Sequence, residues 1–233
     1  MVGQETLNRI SHMVKFNQWM FEIIEPGIGN KIIEVGCGIG NITEFLLTEK
    51  TQVIATDISD NYLDSVNNKF RENQNFQTEK WDISQPPSDM LREFKADTVV
   101  CLNVLEHVGN DIDALKNINS TLTPNGRLML LVPAYQWLYG TLDKELEHYK
   151  RYVYKDLKRI LEVSGFEVEK HLYMNLAGIP GWWLSGKILK RKILPNNLLT
   201  IYHKMVSFFK LVEKITGQRV GLSIIAFARK KEI

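Results

Sequence analysis

Cysteines are scarce in this chain of 233 residues, which contains only Cys37 and Cys101. Two cysteines are too few for a disulfide scaffold, and they show no spacing typical of a metal site, so we expect free thiols and no bound metal. Long apolar runs are also missing. No segment approaches the roughly 18 residues of a membrane-spanning helix, and the N-terminus lacks the apolar core of a signal peptide. These absences predict a cytoplasmic protein.

The chain also has little net charge, +2, but that charge is unevenly distributed. Residues 178–219 contain eight basic residues and one acidic residue, Glu213, so this segment carries +7 and the rest of the chain carries −5. A local excess of one sign indicates a partner or a surface of opposite charge. The small total charge and the absence of a recognised RNA-binding module argue against nucleic acid as that partner.

Short apolar runs rich in β-branched residues alternate with helix-like stretches through the first 135 residues. Most of the runs are continuous rather than alternating, which is typical of strands covered on both faces. The predicted strands span 31–37, 52–58, 76–82, 98–104 and 127–132, and the predicted helices span 41–48, 60–71 and 111–121. This order favours right-handed crossovers and a doubly wound, parallel α/β sheet.

Further elements flank these repeats. A helix is predicted over 7–25, where Pro26 and Gly27 end it. A helix over 153–164 and strands over 167–174 and 222–229 are predicted near the C-terminus. The segment between the two strands is too long for a hairpin loop. We interpret residues 176–220 as a helical, basic insertion within one domain that comprises residues 1–233.

The turn after the first predicted strand is rich in glycine: residues 32–41 read IIEVGCGIGN. A dinucleotide fingerprint would place glycine or alanine where this chain has Asn41, and a nucleotide phosphate loop would end in Gly-Lys-Ser/Thr. Glu34, two residues before the first glycine, can neutralise a cationic group. The turn therefore favours a ligand with ammonium and sulfonium charges over a phosphate.

Acidic residues end the second and third predicted strands, at Asp57 and Asp82. A carboxylate at the first position can accept hydrogen bonds from both ribose hydroxyls. A carboxylate at the second position can accept from an adenine amino group, and Ile58 and Ile83 can cover the two faces of the ring. Each acid alone also fits a simple helix or turn cap, but together they favour an adenosine ligand.

Five motifs follow one another at regular spacing: IIEVGCGIG, IATDIS, EKWDIS, DTVVCLNVLEHV and LTPNGRLMLLVPA. This series, which runs from residue 31 to about residue 133, resembles the class I S-adenosylmethionine-dependent methyltransferases. Its LEHV segment is similar to the ubiquinone-type (methyltransferase type 11/12) O-methyltransferases. The resemblance implies a Rossmann-like sheet of seven strands with an antiparallel last strand. It also implies S-adenosylmethionine as cofactor and S-adenosylhomocysteine as product.

The resemblance implies positions around the cofactor for individual residues. Glu34 is expected near the methionine amino group, and Asn103, at the end of the fourth strand, near the methionine moiety. Asp57 is expected on the ribose and Asp82 on adenine N6. The glycines expected beneath the cofactor are Gly36, Gly38 and Gly40. The N-terminal helix of this family often closes over the cofactor, which makes Phe16, Asn17 and Trp19 candidate lid residues. Trp19 is also a candidate acceptor contact. For Trp19 the alternative is plain packing of the helix on the sheet.

Methyl transfer to a hydroxyl group requires removal of its proton, and histidine is a common base for that step. The chain has five histidines: His12, His107, His148, His171 and His203. His107 lies just past the fourth predicted strand, beside the expected position of the methyl group, and is our first candidate for a catalytic residue. The alternative is a histidine that orders its loop through backbone hydrogen bonds.

A second cluster of titratable residues lies in LDKELEHYKRY, after the fifth predicted strand. The segment resembles a bacterial group of the superfamily in which a D…H.RRY pattern lies beside the acceptor, although Lys150 replaces the first arginine. His148 is therefore a second candidate base, and Asp143, Arg151 and Tyr152 are candidate acceptor contacts. A solvated loop held by salt bridges is the alternative.

The insertion mixes aromatic, aliphatic and basic residues over 181–215. One interpretation is a lid over the acceptor whose apolar face packs on the sheet. Another is a peripheral contact with anionic lipid at the inner membrane face, which would present a lipid-linked acceptor.

The sequence as a whole predicts methyl transfer to an oxygen, in preference to a nitrogen, of a small-molecule or lipid- or sugar-linked metabolite. A nicotinamide-dependent oxidoreductase and a non-catalytic binding protein on the same fold are the alternatives.

Overall fold

The computed structural model describes residues 13–232, except for the side chain of residue 196. Its central feature is one seven-stranded sheet in the order β3-β2-β1-β4-β5-β7-β6. Strands β1 to β5 pair in parallel, and β7 is antiparallel to both β5 and β6. The predicted doubly wound sheet with an antiparallel last strand is therefore confirmed.

The strands lie close to their predicted positions. They are β1 Lys31–Val35, β2 Gln52–Asp57, β3 Phe76–Lys80, β4 Ala96–Leu102, β5 Leu122–Pro133, β6 Phe166–Met174 and β7 Ser223–Lys230. The first four end one or two residues earlier than predicted, because the last predicted residues belong to the turns that follow. β5 is longer than predicted, since residues 122–126 pair irregularly at its start.

Nine α-helices lie within the described residues. They are α1 Val14–Ile24, α2 Thr43–Leu46, α3 Asp60–Phe70, α4 Asp89–Phe94, α5 Asp111–Thr121, α6 Thr141–Glu145, α7 Tyr154–Val163, α8 Gly178–Trp183 and α9 Asn196–Thr216. Residues 7–12 of the predicted helix 7–25, and with them His12, lie outside the described residues. The short helices α4 and α6 were not predicted; Ser88 caps α4 with its side chain.

The helices cover both faces of the sheet, and neighbouring residues of a strand serve opposite faces. Ile33 belongs to the apolar cluster on one face, together with residues of α4, α5 and α7. Ile32 belongs to the cluster on the other face, together with residues of α1, α3 and α9. This two-sided burial explains why the strands read as continuous apolar runs.

The segment between β6 and β7 consists of α8, a π-helical turn at Leu184–Ile188 and the long helix α9. Val206 and Glu213 of α9 are buried, and Tyr202 and Phe209 pack partly against the sheet cluster. None of the helices in the described part of the chain is both long and apolar enough to cross a bilayer.

Candidate active site

The glycine turn between β1 and α2 lies at the carboxyl edge of the parallel strands. Its start is fixed by the Thr56 carbonyl, which accepts from Gly36 N–H at 2.8 Å and from Cys37 N–H at 3.0 Å. Gly36, Gly38 and Gly40 all have positive φ, at 72°, 52° and 80°. A Cβ atom on Gly36 would also lie 2.3 Å from Val104 Cγ2. The loop therefore needs glycine for both its conformation and its packing.

Asp57, the last residue of β2, holds this glycine loop in place. Its Oδ2 accepts from the Gly38 N–H at 3.0 Å, and its Oδ1 accepts from the Ser59 N–H at 2.9 Å. The next residue, Ile58, is 67% exposed. A strand-end carboxylate followed by an uncovered apolar side chain offers both a hydrogen-bond acceptor and a surface for a flat ring.

Glu34 is buried inside β1, where it accepts from Thr43 Oγ1 at 2.6 Å. Burial raises the pKa of this carboxyl to about 7, and the nearby Asp57 adds to the effect. Within residues 13–232, no cationic side chain forms an ion pair with it or lowers its pKa. A buried carboxylate without a counter-ion is costly, so this position suits a cationic ligand group.

The third and fourth strand ends carry the other predicted cofactor contacts. Asp82 is exposed at the tip of β3, with Oδ1 accepting from the Ser84 N–H at 2.9 Å. Asn103, just after β4, is exposed and has φ +56°. Ile83 is different: it is 3% exposed and packs in the core cluster. Its side chain packs in the core and leaves little of its surface open to a ring, so its contact with adenine stays a prediction.

Beyond β5, the chain builds a compact polar cluster around Asp143, which is fully buried. This carboxylate accepts from Arg151 Nε at 2.7 Å, from His148 Nδ1 at 3.1 Å, and from the Gly140 N–H at 2.9 Å. Burial alone would raise its pKa, but the hydrogen bond from His148 and the charge of Arg151 outweigh burial and hold the pKa below its ordinary value. Asp143 is therefore an anion, and His148 Nδ1 carries the shared proton.

The two candidate bases lie side by side, although 41 positions separate them in the sequence. The rings of His107 and His148 meet edge to face, with centroids 4.8 Å apart. Desolvation by the surrounding protein and the neighbouring His148 lower the pKa of His107 to about 4, although part of its side chain remains open to solvent. His107 is therefore a neutral imidazole at pH 7.

Comparison with known proteins places this geometry in a family. Residues 33–128 match a family described as a methyltransferase domain. A ubiquinone biosynthesis O-methyltransferase of Coxiella burnetii is 27% identical over 191 residues, which cover 76% of this chain and 78% of that protein. Residues 33–128 thus match a methyltransferase domain. The seven-stranded sheet around them has the fold of the class I S-adenosylmethionine-dependent methyltransferases.

Other relatives and solved structures support the fold of this methyltransferase. Polyketide synthase 42 of Dictyostelium discoideum is 28% identical over 158 residues, but these cover 56% of this chain and only 6% of that protein. The YcgJ protein of Bacillus subtilis superposes with a TM-score of 0.63 at 13% identity, over 93% of this chain and 99% of that one. The N-methyltransferase NodS of Bradyrhizobium japonicum, solved with S-adenosylhomocysteine, gives a TM-score of 0.58 at 14% identity, over 92% and 85%.

The residues of the methyltransferase fit its cofactor. Glu34 offers an unneutralised carboxylate for an ammonium group, and the glycine loop is free of side chains where the ligand must approach. Asp57 and Asp82 present carboxylates at adjacent strand ends, as the ribose and adenine of an adenosine require. The structure thus brings together most of the residues that the sequence indicated for the cofactor.

Four residues that the sequence predicted as acceptor contacts have buried side chains. Trp19 is 3% exposed and packs in the sheet cluster on the α1 side. Tyr152 is 3% exposed and donates its hydroxyl to the Leu105 carbonyl at 3.3 Å. Asp143 and Arg151 form a buried ion pair with each other, and Asp143 also accepts a hydrogen bond from His148.

Two residues of the methyltransferase site were missed by sequence reasoning. Trp182, from the insertion, donates its Nε1–H to Asp143 Oδ2 at 3.1 Å and stacks on Arg151, whose guanidinium carbon lies 4.6 Å from the ring centroid. Glu106 is 1% exposed, and neither of its carboxylate oxygens has a hydrogen-bond partner within residues 13–232. Only its position beside His107 in the LEHV segment could have indicated it.

Glu106 also changes the chemistry that the site can support. Burial raises the pKa of its carboxyl to about 8, so it is largely protonated at pH 7. One of its carboxylate oxygens, one ring nitrogen of His107 and one of His148 lie within 4.8 Å of one another. These are ligand types that divalent metals accept, in contrast to the sequence-based expectation of no metal site. Any test of the histidines must therefore distinguish a base from a metal ligand.

Proposed function

We propose that this methyltransferase transfers a methyl group to an oxygen atom of a small-molecule or lipid- or sugar-linked metabolite, with His148 as the general base. The observation that carries the proposal is the buried Asp143–His148 pair. An ionised carboxylate on Nδ1 fixes the imidazole tautomer and leaves Nε2 as a proton acceptor. A hydroxyl acceptor needs such a group, whereas a neutral amine can attack without prior loss of a proton.

His148 suits the role of base better than His107 does. A general base works best when its pKa lies near the operating pH, and the pKa of His107 is lowered to about 4. The ring of His107 is partly exposed and lies against His148. We assign it to contact with the acceptor, where a neutral imidazole can donate or accept a hydrogen bond to orient the hydroxyl.

The cofactor supplies an activated methyl group when bound, so the chain's own task is alignment and proton removal. Glu34, Asp57 and the glycine loop would hold the donor at the carboxyl edge of β1 and β2. His107 follows the carboxyl end of β4, and His148, from the segment after β5, lies against it. The name of the Coxiella burnetii relative, a ubiquinone biosynthesis O-methyltransferase, supports oxygen as the acceptor atom.

The test uses methyl-labelled S-adenosylmethionine with matched pairs of acceptors that differ only in a hydroxyl or an amino group. We expect labelled O-methyl product by NMR and mass spectrometry, and a loss of about 10²–10⁴ in kcat for His148→Gln with unchanged S-adenosylhomocysteine affinity. His203→Gln, in α9, is the matched control and should leave both unchanged. Exclusive N-methyl product, or a fully active His148→Gln, would refute the proposal.

A chelator separates the base from a metal ligand. If His148 acts as a base, treatment with EDTA leaves the rate unchanged and no stoichiometric metal is found by elemental analysis. If activity disappears and a divalent ion restores it, the Glu106–His107–His148 group is a metal site, and His148 is not the general base. Neither result would contradict the proposal that the protein is a methyltransferase.

A further inference from the structure

Helix α9 presents an apolar face to solvent as well as to the sheet. Its inner face, with Val206 and Glu213, is buried. The large apolar residues of its outer face are at least 37% exposed: Leu198, Ile201, Met205, Phe208, Leu211 and Ile215. Ile201, Phe208 and Ile215 recur every seven residues, so they form a single stripe along the helix. A helix that is apolar on both sides normally has a partner on each.

The neighbouring segment extends this exposed apolar surface. Trp183, Leu184, Ile188 and Leu189, from the end of α8 and the π-helical turn, are between 43% and 54% exposed. A cleft of about 300 Å³ joins the two parts, with Leu184 and Leu189 on one side and Leu198 and Ile201 on the other. We call the exposed apolar residues of 183–215 the insert surface. A contiguous apolar area of this kind marks an interaction site.

The charges around the insert surface identify its partner. Residues 178–219 hold eight basic residues, and their one acid, Glu213, is buried. Two of the lysines are paired, Lys192 with Glu145 and Lys210 with Glu22. The other six basic residues form no ion pair within residues 13–232: Lys187, Lys190, Arg191, Lys204, Lys214 and Arg219. The exposed charge around the apolar stripe is therefore positive.

We propose that the insert surface docks on a lipid bilayer that contains anionic phospholipids. Exposed aliphatic and aromatic side chains flanked by lysine and arginine are the composition of an interfacial helix, which lies in the plane of the membrane and does not cross it. The apolar side chains enter the headgroup boundary, and the unpaired cations contact lipid phosphates. Self-association through the same stripe would bring the six unpaired cations of two copies together, which disfavours a second copy as the partner.

The docked face is directly connected to the active site. Thr141 Oγ1 donates to the Gly186 carbonyl at 3.0 Å, and Trp182 donates to Asp143. Trp182 and Trp183 are adjacent, so one tryptophan contacts the catalytic cluster while the next is exposed on the insert surface. The bilayer would thus lie next to the His107–His148 pair, where an acceptor anchored in lipid could enter. This proposal does not depend on which acceptor atom is methylated.

Flotation with vesicles tests the proposal. We expect the wild-type chain to float with vesicles of phosphatidylcholine and phosphatidylglycerol, to bind pure phosphatidylcholine at least roughly tenfold more weakly, and to lose binding at high salt. The double variant Ile201→Glu/Phe208→Glu should remain in the unbound fraction. Val163→Glu is the matched control, because Val163 is an exposed apolar residue of α7, outside the insert surface. It should float like the wild type.

Three further results make the outcome decisive. Both variants should keep the wild-type melting temperature and S-adenosylhomocysteine affinity, which shows that lost flotation is not lost folding. Brominated lipid should quench Trp183 fluorescence in the wild type but not in Trp183→Phe. Failure of the wild type to float with anionic vesicles overturns the proposal. The proposal is also overturned if light scattering shows a wild-type dimer that the Ile201→Glu/Phe208→Glu substitutions dissociate. The stripe would then be an interface between copies.

Discussion

The indole of Trp182 donates a hydrogen bond to Asp143 at 3.1 Å, which ties the helical insertion to the buried carboxylate behind His148. The same indole stacks on Arg151, the ion-pair partner of Asp143. The insertion is therefore part of the wall that orients the proposed base. It is not only an appendage to the sheet.

Trp182→Phe should slow turnover without weakening cofactor binding. The variant keeps an aromatic ring on Arg151 but removes one donor from Asp143, at a cost of about 1 kcal/mol in stability. We expect kcat to fall about tenfold, with calorimetric S-adenosylhomocysteine affinity unchanged. Trp183→Phe, one position along and exposed, is the control and should have wild-type kcat. Equal effects of the two variants would contradict the role of Trp182.

Asp143→Asn should be strongly destabilising. It leaves the buried guanidinium of Arg151 without its counter-ion, and breaking a buried ion pair on one side costs about 3–5 kcal/mol. Urea unfolding measures this loss. The double variant Asp143→Asn/Arg151→Met should recover part of the stability but not the activity, because an amide can donate to Nδ1 as well as accept from it and so does not fix the His148 tautomer as a carboxylate does. Recovery of activity in the double variant would refute the positioning role.

Cofactor binding should release a proton near neutral pH. Glu34 has a pKa of about 7 in the free protein, and the ammonium group of the bound ligand favours its ionised form. Affinity for S-adenosylhomocysteine should therefore rise as the pH increases through 7. Calorimetry in buffers of different ionisation enthalpy reports the proton directly. Glu34→Gln should bind about tenfold more weakly and release no proton; a proton count that survives this substitution would exclude Glu34 as its source.

The free protein should lose stability as the pH rises towards 8. The pKa of Glu106 is raised by burial from 4.5 to about 8, so the folded state keeps a proton that the unfolded state releases, and this contribution fades as pH approaches 8. His107 acts in the opposite direction, since its lowered pKa costs stability as the pH falls from 6.5 towards 4. Glu34 and Glu213, whose pKa values burial raises to about 7, act in the same direction as Glu106. Between pH 4.5 and 6.5 His107 opposes these carboxyls, so the melting temperature should fall most steeply between pH 6.5 and 8. Glu106→Gln should make this fall shallower, and an unchanged slope would count against the buried, protonated carboxyl.

Gly36→Ala should impair both stability and cofactor binding. The new Cβ would lie 2.3 Å from Val104 Cγ2, and the φ of +72° is unfavourable for alanine. We expect a loss of more than about 1 kcal/mol. Adding Val104→Ala removes the clash but not the conformational strain, so thermal unfolding should show partial recovery. Full recovery would mean that the positive φ at this position is unimportant for stability. No recovery would mean that the clash with Val104 is unimportant.

The sequence by itself determined the sheet and most of the cofactor edge. Apolar runs at strand spacing and the glycine turn are local signals, since they follow from the backbone geometry of a few consecutive residues. Glu34, Asp57 and Asp82 were found because parallel strands all end at one edge, which converts their positions along the chain into proximity. Short helices such as α4 and α6 were not predicted, because one turn of helix leaves almost no periodic pattern in the sequence.

Only the tertiary structure decided the direction in which individual side chains point. Ile58 and Ile83 each directly follow an aspartate near a strand end, yet the first is exposed and the second is buried in the core cluster. The meeting of His107 with His148, and of Trp182 with Asp143, joins segments that are distant in sequence, so no local pattern encodes it. Both faces of α9 carry apolar residues. Which of them meets the sheet, and which is left to solvent, was fixed by packing against β5, β6 and β7.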